Sequence, residues 1–174
     1  RGEIIKEDVL VEKLSNGQLL TAVVDVWNNE PNINKQLLDH SGIATPHIAG
    51  YSVNGKMNGT IMCVRAVSEF FGLRLDNWSP ADPPKPENQK VILDCTGMDM
   101  IEIVRTVYEE CYSVMEDDTR LRKNPEKFED LRGSYPQRFE PAMYNLRLIN
   151  PVEDDINNIM EKLGFSVLEL DCFC

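Results

Sequence analysis

Two histidines, His40 and His47, are all that this chain of 174 residues has. Its five cysteines, Cys63, Cys95, Cys111, Cys172 and Cys174, form no C-x-x-C pair. So few nitrogen and sulfur ligands in such spacing exclude the usual zinc patterns, and no metal is expected. An odd cysteine count without a repeating framework fits reduced thiols in a cytoplasm. Basic residues are also in short supply, with 18 Lys and Arg against 29 Asp and Glu, a net charge of −11. That balance disfavours nucleic acid and anionic membranes, where Lys and Arg must replace counterions. No apolar run approaches the roughly 20 residues of a membrane span, and no signal-peptide pattern is present. The first residue is Arg1 rather than Met, and an apolar pattern begins at once, as expected for a piece of a longer protein.

What is present is an ordinary apolar content of 42%, enough for one domain or two small ones. Val9, Leu10 and Leu14 repeat at helical spacing, so 4–14 is expected to be a helix ended by Asn16-Gly17. Leu19 to Val26 is a continuous apolar run that suits a parallel strand buried on both faces. A short helix is expected over 34–40, a second strand over 43–45, and a long helix over 56–72 that Gly72 ends. This order, helix and strand in alternation, is that of the closing half of a doubly wound α/β sheet.

The composition then changes. Residues 78–88 carry four prolines and read as a linker, so domains are expected at 1–76 and 90–174, joined through 77–89. The second unit is expected to be a small α+β domain of order βααβαβ. Its strands fall near 90–94, 143–149 and 165–170, and its helices over 98–115, 125–131 and 151–163.

The stretch Thr45-Pro46-His47-Ile48-Ala49-Gly50 sits where the second strand gives way to a loop. Asp25 and Glu30 lie just beyond the first strand, and in doubly wound sheets such loops meet at one crevice. An imidazole there can take a proton near neutral pH, a neighbouring carboxylate can orient it, and an arginine such as Arg1 can grip a substrate carboxylate through two parallel hydrogen bonds. Taken singly, each of these residues has a plainer reading: a solvated histidine, a loop acid before Pro31, a turn-capping aspartate, a surface arginine. His40, at the end of a short helix, reads as structural.

Arg1-Gly2-Glu3-Ile4, Val24-Asp25-Val26-Trp27-Asn28-Asn29-Glu30-Pro31 and Thr45-Pro46-His47-Ile48-Ala49-Gly50, in this order and spacing, resemble the D-isomer-specific 2-hydroxyacid dehydrogenases. The resemblance implies a Rossmann-like NAD-binding domain. It implies catalytic roles for Arg1, Glu30 and His47, with Asp25 and Gly50 beside NAD. Gly50-Tyr51-Ser52 with Gly55-Lys56 and Gly59-Thr60 narrows the likeness to a branch acting on a phosphorylated 2-hydroxy acid, with Tyr51 touching substrate. Asp117-Asp118, Leu121-Arg122, Phe128 to Arg132 and Tyr135-Pro136-x-Arg138 resemble that branch's C-terminal dimerisation domain, which implies a homodimer.

One departure stands out. The family's G-x-G-x-x-G turn is absent, and Gly55 and Gly59 do not follow a strand at the spacing that would replace it. The chain is therefore expected to be the C-terminal portion of a longer enzyme and inactive alone. Two other readings stay open: a dehydrogenase of 3-phosphoglycerate type with a regulatory C-terminal domain, and a non-catalytic dimerisation fragment. The basic run Arg120, Arg122, Lys123, Lys127, Arg132 and Arg138 reads as a solvated face or interface ion pairs. A sharper alternative sends Arg138 to a neighbouring subunit's substrate phosphate.

Overall fold

The computed structural model describes residues 1–151 and 155–168. Two compact units emerge, Arg1–Gly50 with Ser113–Pro136, and Tyr51–Tyr112 with the described residues from Gln137 onward. This division differs from the expected boundary at 77–89. Residues 113–136 belong with the first fifty because Leu121 and Phe128 are buried in the same core as Val24, Trp27, Ile33, Leu37, Leu38 and Ala44. The prolines of 77–89 mark irregular chain, but apolar burial decides the units, and it draws on residues distant in sequence.

In the first unit a 3-10 turn at Gly2–Ile4 leads into helix α1, Glu7–Ser15. Strand β1, Val23–Val24, runs parallel to β2, Ile43–Ala44, with Val23 opposite Ile43 and Val24 opposite Ala44. Between them lies α2, Lys35–His40, where the Asn34 side chain accepts from the Gln36 and Leu37 amides as an N-cap. The strand expected over 19–26 is only two residues long, and Leu20 is 100% exposed. β1 has a parallel partner on one side only among the described residues, so the chain before Val23 has no ladder to join.

The second unit begins with α3, Val53–Phe71, capped by Ser52 and ended by Gly72 at φ +66°. Its inward stripe is Val53, Met57, Ile61, Val64 and Ser68, whereas Val67 and Phe71 are exposed. Ser68 is wholly buried, donates to Asp76 Oδ1 at 2.7 Å and accepts from the Leu75 amide, so the chain after α3 folds back on it. Strands β3, Lys90–Asp94, β4, Asn145–Ile149, and β5, Ser166–Val167, form one parallel sheet in sequence order. Helix α4, Met100–Cys111, follows β3 and starts with a reciprocal capping box between Asp99 and Glu102. Its Ile103 and Val107 pack with Val91, Leu146, Leu148, Ile156, Met160 and Phe165.

Helix α5, Val114–Lys123, and α6, Phe128–Gly133, complete the first unit, and α7, Ile156–Lys162, lies between β4 and β5. The helix expected over 98–115 thus divides at Tyr112 and Ser113, and α5 runs on to Lys123 through residues to which no element was assigned. Cys172, Cys174, residues 169–170 of the expected strand and residues 152–154 of the expected helix lie outside the described residues. Among the described residues no helix is long and apolar enough to cross a membrane, and no cluster of His, Cys, Asp and Glu could hold a metal ion.

Candidate active site

The site is built on the two loops that leave β1 and β2. Asp25, the residue after β1, reaches across to the second loop. Its Oδ1 accepts from Thr45 Oγ1 at 2.6 Å and from the Ile48 amide at 2.7 Å, and its Oδ2 accepts from the Ala49 amide at 3.1 Å. Hydrogen bonds to an ionised acceptor are the stronger kind, so one carboxylate fixes both ends of 45–49. Trp27, buried, donates Nε1–H to the Thr45 carbonyl at 2.9 Å and ties the loops a second time.

The residue held between these ties is His47. Its backbone φ is +57°, a left-handed conformation that L side chains rarely adopt. Such a conformation persists where neighbours over-determine it, and the Asp25 bonds on its C-terminal side do so. Nδ1 of His47 lies 2.8 Å from Glu30 Oε2, while Glu30 Oε1 accepts from the Trp27 amide at 2.9 Å. Both carboxylate oxygens are therefore engaged, one by backbone and one by imidazole. Side-chain exposure is 38% for His47 and 19% for Glu30, so the imidazole faces solvent and its partner lies beneath it. With Nδ1 taken by Glu30, Nε2 is the ring nitrogen available to a reacting hydroxyl.

Arg1 precedes the 3-10 turn and is exposed. With Gly2, Glu7, Thr21, Asp25 and Val26 it lines a largely apolar hollow of about 460 Å³ along β1. The His47–Glu30 pair stands outside that lining. Gly2 is pressed against the loop, since a Cβ there would stand 2.3 Å from the Trp27 carbonyl carbon. Glu7 closes the corner by accepting from the Asn28 amide at 2.7 Å. Gly50 ends the first unit with open space where a side chain would stand. Tyr51 opens the second unit, and the Lys56 ammonium sits 3.9 Å above its ring.

The structure thus joins Asp25, Glu30 and His47 in one hydrogen-bonded group through Thr45 to Ala49 and sets Arg1 along the neighbouring hollow. Glu7, Trp27 and Thr45 belong to the same construction and were given no role from sequence: Glu7 and Trp27 act on backbone groups, and Thr45 offers both its hydroxyl and its carbonyl, none of which a spacing rule displays. Two of the basic run pair within α5: Arg120 with Glu116 at 3.0 Å and Asp117 at 3.4 Å, and Arg122 with Asp118 at 2.8 Å. Arg138 lies in the second unit with its guanidinium 4.7 Å from the Tyr112 ring centre, and its carbonyl accepts from the Val53 amide at 2.7 Å.

Residues 1–49 match the family described as D-isomer specific 2-hydroxyacid dehydrogenase, NAD binding domain. Over most of its length the chain is similar to proteins named erythronate-4-phosphate dehydrogenase. One from Bacteroides thetaiotaomicron is 40% identical over 146 residues, which is 84% of this chain and 39% of the relative. One from Marinobacter nauticus is 39% identical over 175 residues, 96% of this chain and 45% of the relative. One from Escherichia coli O1:K1 / APEC is 39% identical over 177 residues, 97% of this chain and 44% of the relative. The chain spans less than half the length of the curated relatives it matches. The match over residues 1–49 takes in the loops that carry Asp25, Glu30 and His47, and this segment is similar to the NAD-binding domain of the D-isomer-specific 2-hydroxyacid dehydrogenases.

Proposed function

We propose that this chain supplies the proton-transfer half of an NAD-dependent enzyme that oxidises the 2-hydroxyl of 4-phospho-D-erythronate to the 2-oxo acid, a step toward vitamin B6. The observation that carries the reading is the His47–Glu30 contact at 2.8 Å on a loop clamped by Asp25. His47 Nε2 takes the substrate hydroxyl proton, and Glu30 holds the ring and balances the imidazolium that forms. Arg1 grips the substrate carboxylate. Tyr51 contacts the remainder of the substrate. The names of the relatives support the substrate.

The residues present fit one end of NAD. The hollow along β1 offers apolar walls, and Asp25, an acceptor with a second lone pair on Oδ2, lies at its edge to receive a carboxamide N–H. Gly50 leaves room for close approach. When bound, NAD supplies the hydride acceptor. No glycine-rich turn for its pyrophosphate occurs in these 174 residues, so that part of the site comes from elsewhere in the enzyme. The same reading makes the protein a cytoplasmic homodimer. Assembly through the second unit is supported by Ile92 and Ile101, which are exposed there although they lie on β3 and α4.

The test is NADH formation by the full-length protein from 4-phospho-D-erythronate and, separately, from 3-phosphoglycerate. Turnover of the first and not the second upholds the reading. The reverse order moves the protein to another branch of the family. The 174-residue chain alone is expected to give no turnover.

A further inference from the structure

Ala44 is the last residue of β2, three residues before His47, and is wholly buried. Neighbouring Thr45 turns its amide inward, donating to the Val24 carbonyl at 2.9 Å. The Ala44 amide therefore points away from β1, where a further strand would normally receive it. No strand does so among the described residues. Asp118 on α5, 74 residues away in sequence, accepts from the Ala44 amide through Oδ1 at 2.7 Å. Its Oδ2 takes Arg122 Nε at 2.8 Å. Arg122 then donates Nη1–H to the Leu38 carbonyl at 2.5 Å and Nη2–H to the Ser41 carbonyl at 2.8 Å.

One neutral ion pair, one helical turn long, thus meets an amide and two carbonyls spread over 38–44. It does on the outer edge of β2 what a paired strand does on the inner edge. An aliphatic helix face could bury the same area but would leave the Ala44 amide without an acceptor. We propose that Asp118 and Arg122 are positioning residues for His47: they fix the outer edge of β2 and so the take-off point of the loop that aims the imidazole at Glu30. The inference rests on the proposed dehydrogenase activity, and it adds that helix α5 sets the geometry of the base.

The expected effect follows from how sharply proton transfer depends on placement. Asp118→Ala in the full-length protein should lower kcat by about 10- to 100-fold, as small misplacements of reacting groups do, with the Kd for NAD unchanged. Asp118→Asn, which keeps a carbonyl acceptor for the Ala44 amide, should recover most of that loss. In a His47→Gln background Asp118→Ala should cost nothing further, because the group through which it acts is gone. A readout independent of activity is the imidazole NMR signal of the His47 Nδ1 proton, which should lose its hydrogen-bonded shift in Asp118→Ala. Should Asp118→Ala not fold, Arg122→Met, which keeps an unbranched side chain but removes the donors to Asp118, Leu38 and Ser41, reads the same cycle. Wild-type protein without turnover would refute the dehydrogenase reading, while the NMR signal would still report on the clip. Active wild type with an undiminished kcat in Asp118→Ala, or full additivity with His47→Gln, would overturn this inference alone.

Discussion

Glu30 lies directly against His47, Oε2 to Nδ1 at 2.8 Å, while its other oxygen takes the amide of Trp27 at 2.9 Å. The carboxylate is thereby fixed by its own loop before it meets the imidazole. Replacing it by glutamine keeps size and one acceptor but removes the charge that balances imidazolium. Glu30→Gln should lower kcat on the order of 10- to 100-fold in the full-length enzyme, with a smaller change in KM. Steady-state kinetics over a range of substrate concentrations checks this.

Asp25 should act on stability as well as on the cofactor. Its carboxylate receives Thr45, Ile48 and Ala49. Charge-assisted bonds of this sort are worth about 1.5–3 kcal/mol each, with solvent recovering part of the loss at a half-buried site. Asp25→Ala should therefore destabilise by roughly 2–4 kcal/mol in urea unfolding, and Asp25→Asn by less. Equal midpoints for wild type and Asp25→Ala would show that the loop is held by other means.

Gly2 offers a steric test. A Cβ at that position meets the Trp27 carbonyl carbon at 2.3 Å and the Asn28 amide nitrogen at 2.6 Å, both backbone atoms. Gly2→Ala must push the Arg1 turn away from the 27–28 loop. The expected outcome is a KM for the hydroxy acid raised about tenfold, with kcat affected less, since the grip proposed for Arg1 holds the ground state as well as the transition state. An unaltered KM would place the carboxylate grip elsewhere.

Burial separates the described cysteines by reactivity. It pushes the Cys111 thiol up to about 11, with Glu110 adding in the same direction. Cys95 is wholly buried and also shifted upward by burial. Cys63 is exposed on α3. The thiolate is the nucleophile, so at neutral pH iodoacetamide should label Cys63 well before Cys95 or Cys111. The sign for Cys111 is that of a raised group: its contribution to stability is present below the ordinary thiol value near 9 and fades as pH climbs toward 11. Peptide mapping of the alkylated protein reads the order of labelling.

That Asp25, Glu30 and His47 meet in one hydrogen-bonded group was legible in sequence because its parts are local. Asp25, Glu30 and His47 sit on two short loops after two strands, and strand-end placement predicts that such loops meet. The elements whose ends carry clear signals also fell close to expectation, among them α2 after Asn34, the Gly72 end of α3, and β3. The division into units was not legible. Proline content points to irregular chain, whereas Leu121 and Phe128 join the core of Trp27 and Leu37 through contacts about a hundred residues apart that no periodicity displays. Helix α5 was hidden by its polarity, since a run of Glu, Asp and Arg reads as loop until Asp118 and Arg122 are seen at i and i+4 with backbone to satisfy. The apolar run from Leu19 was misjudged for the opposite reason: hydrophobicity promises burial only where neighbouring chain exists to cover it.

The most direct test of His47 as the proton acceptor is His47→Gln in the full-length protein, with kcat on 4-phospho-D-erythronate and the Kd for NAD measured side by side. The expected result is a loss in kcat of about 100- to 10,000-fold with the NAD Kd held within about twofold. A kcat close to wild type, or losses of equal size in kcat and NAD affinity, would contradict that assignment.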